Sequence, residues 1–120
     1  MERTTDVWTY RLPTWNDTDV TGFEVEAIDG DIGKVDESSR EVGAAHIVVD
    51  TGPWIFGKKV LLPAGLIRDI DLDSEKIFVD RTKDEIKNAP EFDENRYREP
   101  LYRDELGDYY ATRLGSDRTF

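Results

Sequence analysis

Between residues 21 and 82, apolar positions alternate with polar ones in short runs closed by turn residues, the pattern of half-buried β-strands. Phe23, Val25 and Ala27 alternate with Glu24, Glu26 and Ile28. Asp29-Gly30 follows, a two-residue hairpin signal because both positions tolerate positive φ. A second strand is predicted over 32–36, and the lone Gly33 inside it predicts a bulge or a sharp coil. Ala45, Ile47 and Val49 alternate with His46, Val48 and Asp50, and Thr51-Gly52-Pro53 then turns the chain. A strand over 58–62 is stopped by Pro63, and strands over 66–72 and 76–81 flank the turn Asp73-Ser74-Glu75. The expectation is a mainly β protein with about six short antiparallel strands. Short strands bent by glycines favour a small barrel over an open sheet, because closure removes exposed strand edges.

After residue 82 the period changes. Thr82-Lys83-Asp84-Glu85 is a capping box, in which threonine and glutamate satisfy two free helix N–H groups. It predicts a short helix to about Ala89, ending before Pro90. Tyr102, Leu106, Tyr109 and Arg113 lie at helical spacing behind Pro100, a residue suited to a first helical turn. Gly107 in the middle costs roughly 1 kcal/mol against alanine, so this second helix must dock on something to hold. Residues 1–20 are polar, carry Trp8, Tyr10 and Trp15, and show no steady period. The chain therefore divides into an N-terminal aromatic-bearing extension (1–20), a β domain (21–94) and a partly helical C-terminal extension (95–120).

Charge narrows the partners. Sixteen Lys and Arg stand against 27 Asp and Glu, a net charge of −11 over 120 residues. Residues 21–80 hold 6 basic and 13 acidic residues, so the acidity belongs to the folded domain rather than to a tail. Such a surface repels nucleic-acid phosphates and anionic lipid, and no direct nucleic-acid contact is expected. There is no cysteine, which removes disulfides, thiolate metal sites and a cysteine nucleophile. No apolar run approaches a membrane span, and Met1 to Val20 carry no apolar signal region. A cytoplasmic location is expected.

The chemistry-bearing residues form no constellation. His46 is the single histidine. It has no cysteine partner, no G-x-S-x-G serine accompanies it, and it is expected to be a polar residue on a strand face. Asp69, Asp71 and Asp73 imitate the start of a calcium loop, but Ser74 stands where the loop needs glycine and Asp80 where it needs glutamate. Their alternation with Ile70 and Leu72 reads instead as a strand with its wet face outward. Gly30 and Gly33 lack the third glycine and the G-K-[ST] of a phosphate loop, and Asp29 and Asp31 would repel phosphate. No catalytic, metal-ligating or cofactor-binding residue is assigned, and no cofactor is expected. Large aromatics are the remaining signal. Trp54 and Phe56 lie in the turn Gly52-Pro53-Trp54-Ile55-Phe56-Gly57, either as a plug for the barrel end or as a solvent-facing anchor for a partner.

Several segments together resemble the PRC-barrel family, the small β-barrel named after the H subunit of photosynthetic reaction centres. They are Gly22-Phe23-Glu24-Val25, Asp29-Gly30-Asp31-Ile32-Gly33-Lys34-Val35, Ile47-Val48-Val49-Asp50-Thr51-Gly52, Lys58-Lys59-Val60-Leu61-Leu62-Pro63 and the stretch from Thr82 through Pro90 to Asp93. The resemblance covers residues 21–94, with Gly22, Asp29, Gly30, Gly33, Val35, Asp50, Gly52, Pro63 and Pro90 as its motif positions. The loop from Glu37 to Gly43 is short for the family. The resemblance implies a PRC-type barrel with flanking tails and one or two short C-terminal helices. It also implies a non-enzymatic protein-interaction or assembly module of a prokaryotic cytoplasm, since the family shares no catalytic residues. Two alternatives remain on this resemblance. One is an RNA-processing or ribosome-associated accessory protein contacting a basic ribosomal protein. The other is a photosynthetic complex assembly subunit. A small-ligand barrel or an enzyme has only the Asp-rich turns to speak for it. Self-association as a homodimer or higher oligomer is expected, with Trp54, Phe56, Tyr102, Leu106, Tyr109 and Tyr110 as interface candidates beside an unidentified protein partner.

Overall fold

The computed structural model describes residues 7–39, 44–52, 58–93, 95 and 99–118. Six strands form one sheet: β1 (Glu24–Ala27), β2 (Gly30–Ser39), β3 (His46–Asp50), β4 (Lys59–Pro63), β5 (Ile67–Asp71) and β6 (Lys76–Val79). Two helices follow, α1 (Lys83–Lys87) and α2 (Pro100–Arg118). The mainly β expectation holds, but two of its details do not. The sheet is mixed, because β6 returns beside β1 in the parallel sense while every other pairing is antiparallel. It is also not closed into a barrel. The order is β4-β3-β2-β1-β6-β5, and among the described residues no ladder joins β4 to β5.

The two open edges are nevertheless consecutive in sequence. β4 leads into β5 through a single 3-10 turn, Ala64–Leu66, so one run of chain forms both borders of the sheet. The pairings give β4 and β5 the same direction. The sheet must therefore coil until the end of one border meets the start of the other. That turn is held from outside by the N-terminal segment. Gly65 N–H donates to Val7 O at 2.7 Å and Ala45 N–H to Trp8 O at 3.1 Å. Gly65 has no alternative here, since a Cβ would lie 2.8 Å from the Val7 backbone. Arg11 Nε adds a bond to Gly65 O at 2.8 Å. Val7, Tyr10 and Val20 are buried, so residues 7–20 pack as part of the fold.

Locally the strands follow the sequence. Phe23, Val25 and Ala27 face inward. The predicted bulge lies opposite Val25 and Glu26, where the register slips between Gly33 and Asp31. Strand β2 runs three residues further than the pattern predicts, taking in Glu37, Ser38 and Ser39, because β3 extends its ladder to Ser39. Pro63 does not stop β4 but ends it inside the ladder, opposite His46. A proline is tolerated there because β4 is an edge strand. The core joins Val25, Ile32, Val35, Ile47, Val49, Leu62, Leu66, Ile67, Ile77 and Val79 with side chains of both helices. The capping box at Thr82 is present in both directions, and Asp29 Oδ1 accepts from Lys83 N–H at 2.8 Å, tying the first hairpin to the start of α1.

Helix α2 docks on its own sheet. Tyr102, Leu106 and Tyr110, four residues apart, are buried against it, and packing of such a stripe is what stabilises a helix of weak intrinsic propensity. Gly107 is the point of closest approach: a Cβ there would lie 2.9 Å from Trp8 Nε1. Trp8 in turn meets the His46 ring edge-on, with centroids 6.4 Å apart. Gly107→Ala should therefore lower stability by about 1–2 kcal/mol through overpacking, despite its higher helix propensity. In a Trp8→Ala background the same change should raise stability by about 1 kcal/mol. Denaturant titration of the four-member cycle reads both signs, and equal signs in the two backgrounds would separate Trp8 from α2.

Candidate functional site

A groove of about 330 Å³ runs beside the open edge β4. One wall is residues 58–61 and the other is the end of α1 with the segment that follows it, Ile86, Lys87, Ala89, Pro90, Glu91 and Phe92. Tyr110 of α2 also lines it. The sequence places these parts together through the fold alone: β4 is the sheet border, and Pro90 keeps the chain extended after α1 ends. Ile86, Leu61 and Tyr110 are buried, while Val60, Ala89 and Phe92 are partly buried against the core. Lys58 Nζ pairs with Glu91 across the groove, and Lys59 Nζ pairs with Asp36 at 2.9 Å. These pairs are exposed and weakly held.

Below the groove lies a feature that no sequence signal announces. Arg81 is 1% exposed, and among the described residues no carboxylate pairs with it. Its guanidinium donates to Asp80 O and, at 3.1 Å, to Tyr110 O, and it lies 5.8 Å from the Tyr110 ring centroid. Carbonyls and an aromatic face thus replace the usual counter-charge, fixing α2 to the end of β6. Tyr109 OH donates to Glu85 O at 2.6 Å, joining α2 to α1. Burial pushes the Tyr110 hydroxyl pKa upward. It pushes that of Tyr102 to about 12, helped by Asp93 and Glu105.

The Tyr102 hydroxyl is buried and has no hydrogen-bond partner among the described residues. Removing an unsatisfied buried hydroxyl relieves its desolvation cost, so Tyr102→Phe should stabilise the protein by about 1 kcal/mol at neutral pH. The alkaline limb gives an independent sign. A folded-state pKa above the unfolded value of 10 means the folded state holds the proton more tightly. Stability is then full below pH 10 and falls as pH rises toward 12. Tyr102→Phe should flatten that fall, as measured by denaturant midpoints from pH 8 to 11.5.

The other candidates settle as follows. Tyr102, Leu106 and Tyr110 are spent on the chain's own core and Tyr109 is partly buried against it. Trp54 and Phe56, with Pro53, lie outside the described residues, as does Tyr97. His46 lies in β3 as expected of a strand-face residue but is only 5% exposed; its ring meets Trp8 edge-on, and its Nδ1 lies 2.8 Å from Ala44 O. Asp71 Oδ1 accepts from the Asp73 and Ser74 N–H groups, and hydrogen bonds from Ser74 hold its carboxyl below the usual range. Asp69 Oδ1 bonds Ile70 N–H. The turn carboxylates thus cap their own backbone. Of the motif positions, Gly22 N–H bonds Val35 O and Gly52 N–H bonds Asp50 Oδ1. Asp31, Gly33, Lys34, Asp50 and Gly52 share a second hollow at the bulge, and Pro90 lines the groove. Among the described residues no three His, Asp or Glu side chains are grouped to hold a metal ion. No family model and no curated protein matches the chain.

Proposed function

We propose that the chain is a non-enzymatic module of PRC-barrel type that acts by protein–protein contact in the cytoplasm, with the groove beside β4 as its contact site. The observation that carries this reading is the groove itself: an apolar floor beside a sheet border that has no neighbouring strand among the described residues. An open border with an apolar trough is a standing template for another chain. The coiled sheet, the bulge at Gly33 and the cap at Thr82 support the PRC-type assignment. No helix among the described residues is long and apolar enough to cross a membrane. Self-association belongs to the same reading, with the groove rather than the inward-facing α2 stripe as the contact.

A photo-crosslinking amino acid placed at exposed Lys87, on the groove rim, tests this in living cells. Discrete protein adducts are expected from position 87 and none from Asp69, an exposed position on β5. Absence of adducts, or the same adducts from both positions, would overturn the proposal. Light scattering of the purified chain over a concentration series separates a second copy from a foreign partner.

A further inference from the structure

Resting on that reading, we infer that the groove takes an extended acidic segment of a partner protein, added as a short strand along β4. Two independent observations point there. The first is hydrogen-bonding parity. Thr51 N–H bonds Lys58 O and Ala64 N–H bonds Ala45 O, so with the register Val49↔Val60 and Ile47↔Leu62 the even-numbered residues of β4 bond β3. The N–H and C=O of Leu61 therefore point to the open border. Leu61 is 3% exposed, yet these two groups have no partner among the described residues. Buried backbone groups in native proteins are almost always paired, and an added strand would pair both. Pro63, without an N–H, limits the added ladder to a short one.

The second observation is charge. The chain has six lysines, and three of them, Lys58, Lys59 and Lys87, line this groove. Glu91 is the single acid in its lining. A chain of net charge −11 attracts basic partners over most of its surface. A local lysine rim on such a chain matches a docking segment of the opposite sign. Lys87 has no ion-pair partner among the described residues. Lys58 holds only an exposed carboxylate of its own chain, which an incoming acid can replace. The groove's apolar floor suits alternate apolar residues between those acids, as strand addition requires.

The test uses the full chain, ¹⁵N-labelled, titrated with end-blocked twelve-residue peptides. One set alternates Asp and Glu with Val, Leu and Phe; matched sets carry Lys and Arg, or Ser and Thr, in place of the acids. The acidic set is expected to move the Leu61 amide resonance and slow its hydrogen exchange. Lys58→Glu with Lys87→Glu, both on the surface, should weaken that binding at least tenfold while leaving the free protein's spectrum folded. Failure of every acidic peptide to move the Leu61 amide at millimolar concentration would overturn the inference. So would equal binding of the basic or neutral sets, or Leu61 shifts that follow protein concentration alone, the mark of a second copy. A position-87 crosslink combined with any of these results would leave the contact module standing and remove only the acidic partner.

Discussion

Tyr110→Ala is expected to cost about 3–5 kcal/mol of stability, the range for emptying a fully buried aromatic site. Tyr110 is 0% exposed and touches three parts of the fold at once. It fills the space beside Ile86 at the groove, packs edge-on against Tyr109 with ring centroids 5.0 Å apart, and presents its ring to Arg81. Losing the ring leaves a buried guanidinium with carbonyl oxygens as its remaining support, and a buried charge tolerates the loss of a partner poorly. The groove floor opens at the same time. Tyr110→Phe keeps the ring and should stay within about 1 kcal/mol of the parent, since aromatic packing rather than the hydroxyl supplies the effect. Urea titration followed by circular dichroism reads both variants. A loss below about 1 kcal/mol for the alanine variant would mean that α2 does not dock in solution.

Gly33→Ala should be nearly as damaging, at about 4 kcal/mol, from backbone strain and overpacking together. The residue has φ +141°, and a Cβ would lie 2.1 Å from the carbonyl oxygen of Asp50. That oxygen belongs to backbone in β3 and cannot swing aside, so β2 and β3 must part or the bulge must be lost. Gly52→Ala is the control. Its φ is +57°, but nothing lies within 4 Å of its missing Cβ, so only the left-handed strain of about 1–2 kcal/mol applies. Thermal midpoints of the two variants should differ clearly, and equal midpoints would refute the close approach at Gly33.

What the sequence discloses is what is local. The bulge at Gly33 and the capping box at Thr82 each depend on a few adjacent residues and are found where the pattern puts them, while the first hairpin forms one residue earlier than its Asp29-Gly30 signal, turning at Ile28-Asp29 with Gly30 opening β2 opposite Ala27. Alternation correctly separates Val25 from Glu26 and puts His46 on a strand, but it does not disclose that His46 is buried. The run Ala44-Ala45-His46-Ile47-Val48-Val49 is buried on both faces, and near-continuous apolarity is the signature of a strand covered on both sides. Its cover is Trp8, and no period links the two. The parallel partnership of β1 with β6 and the open border are equally invisible, since strand order is set by which faces the whole chain can bury. The groove is assembled from residues 58–61, 86–92 and 110, three stretches that share no spacing. Arg81 is the extreme case. The pattern ends a predicted strand on this charged residue and says nothing of its burial, which only the arrival of Tyr110 makes tolerable.

The meeting of Trp8 with Gly107 has a consequence for how the protein is made. Lys76 bonds Glu26 across 50 residues, and Trp8, whose carbonyl accepts from Ala45 N–H at the start of β3, finds its backing in the last helix. During synthesis the early strands can pair as hairpins, but β1 stays without its second neighbour until β6 has left the ribosome. Trp8 stays uncovered until α2 has followed. With such separation between contacting residues, folding waits on late-arriving chain, and the nascent β1–β4 portion displays strand edges and apolar side chains meanwhile. Ribosome-stalled chains ending before residue 100 should accordingly be cut readily by protease, and chains extended far enough to release α2 should resist it.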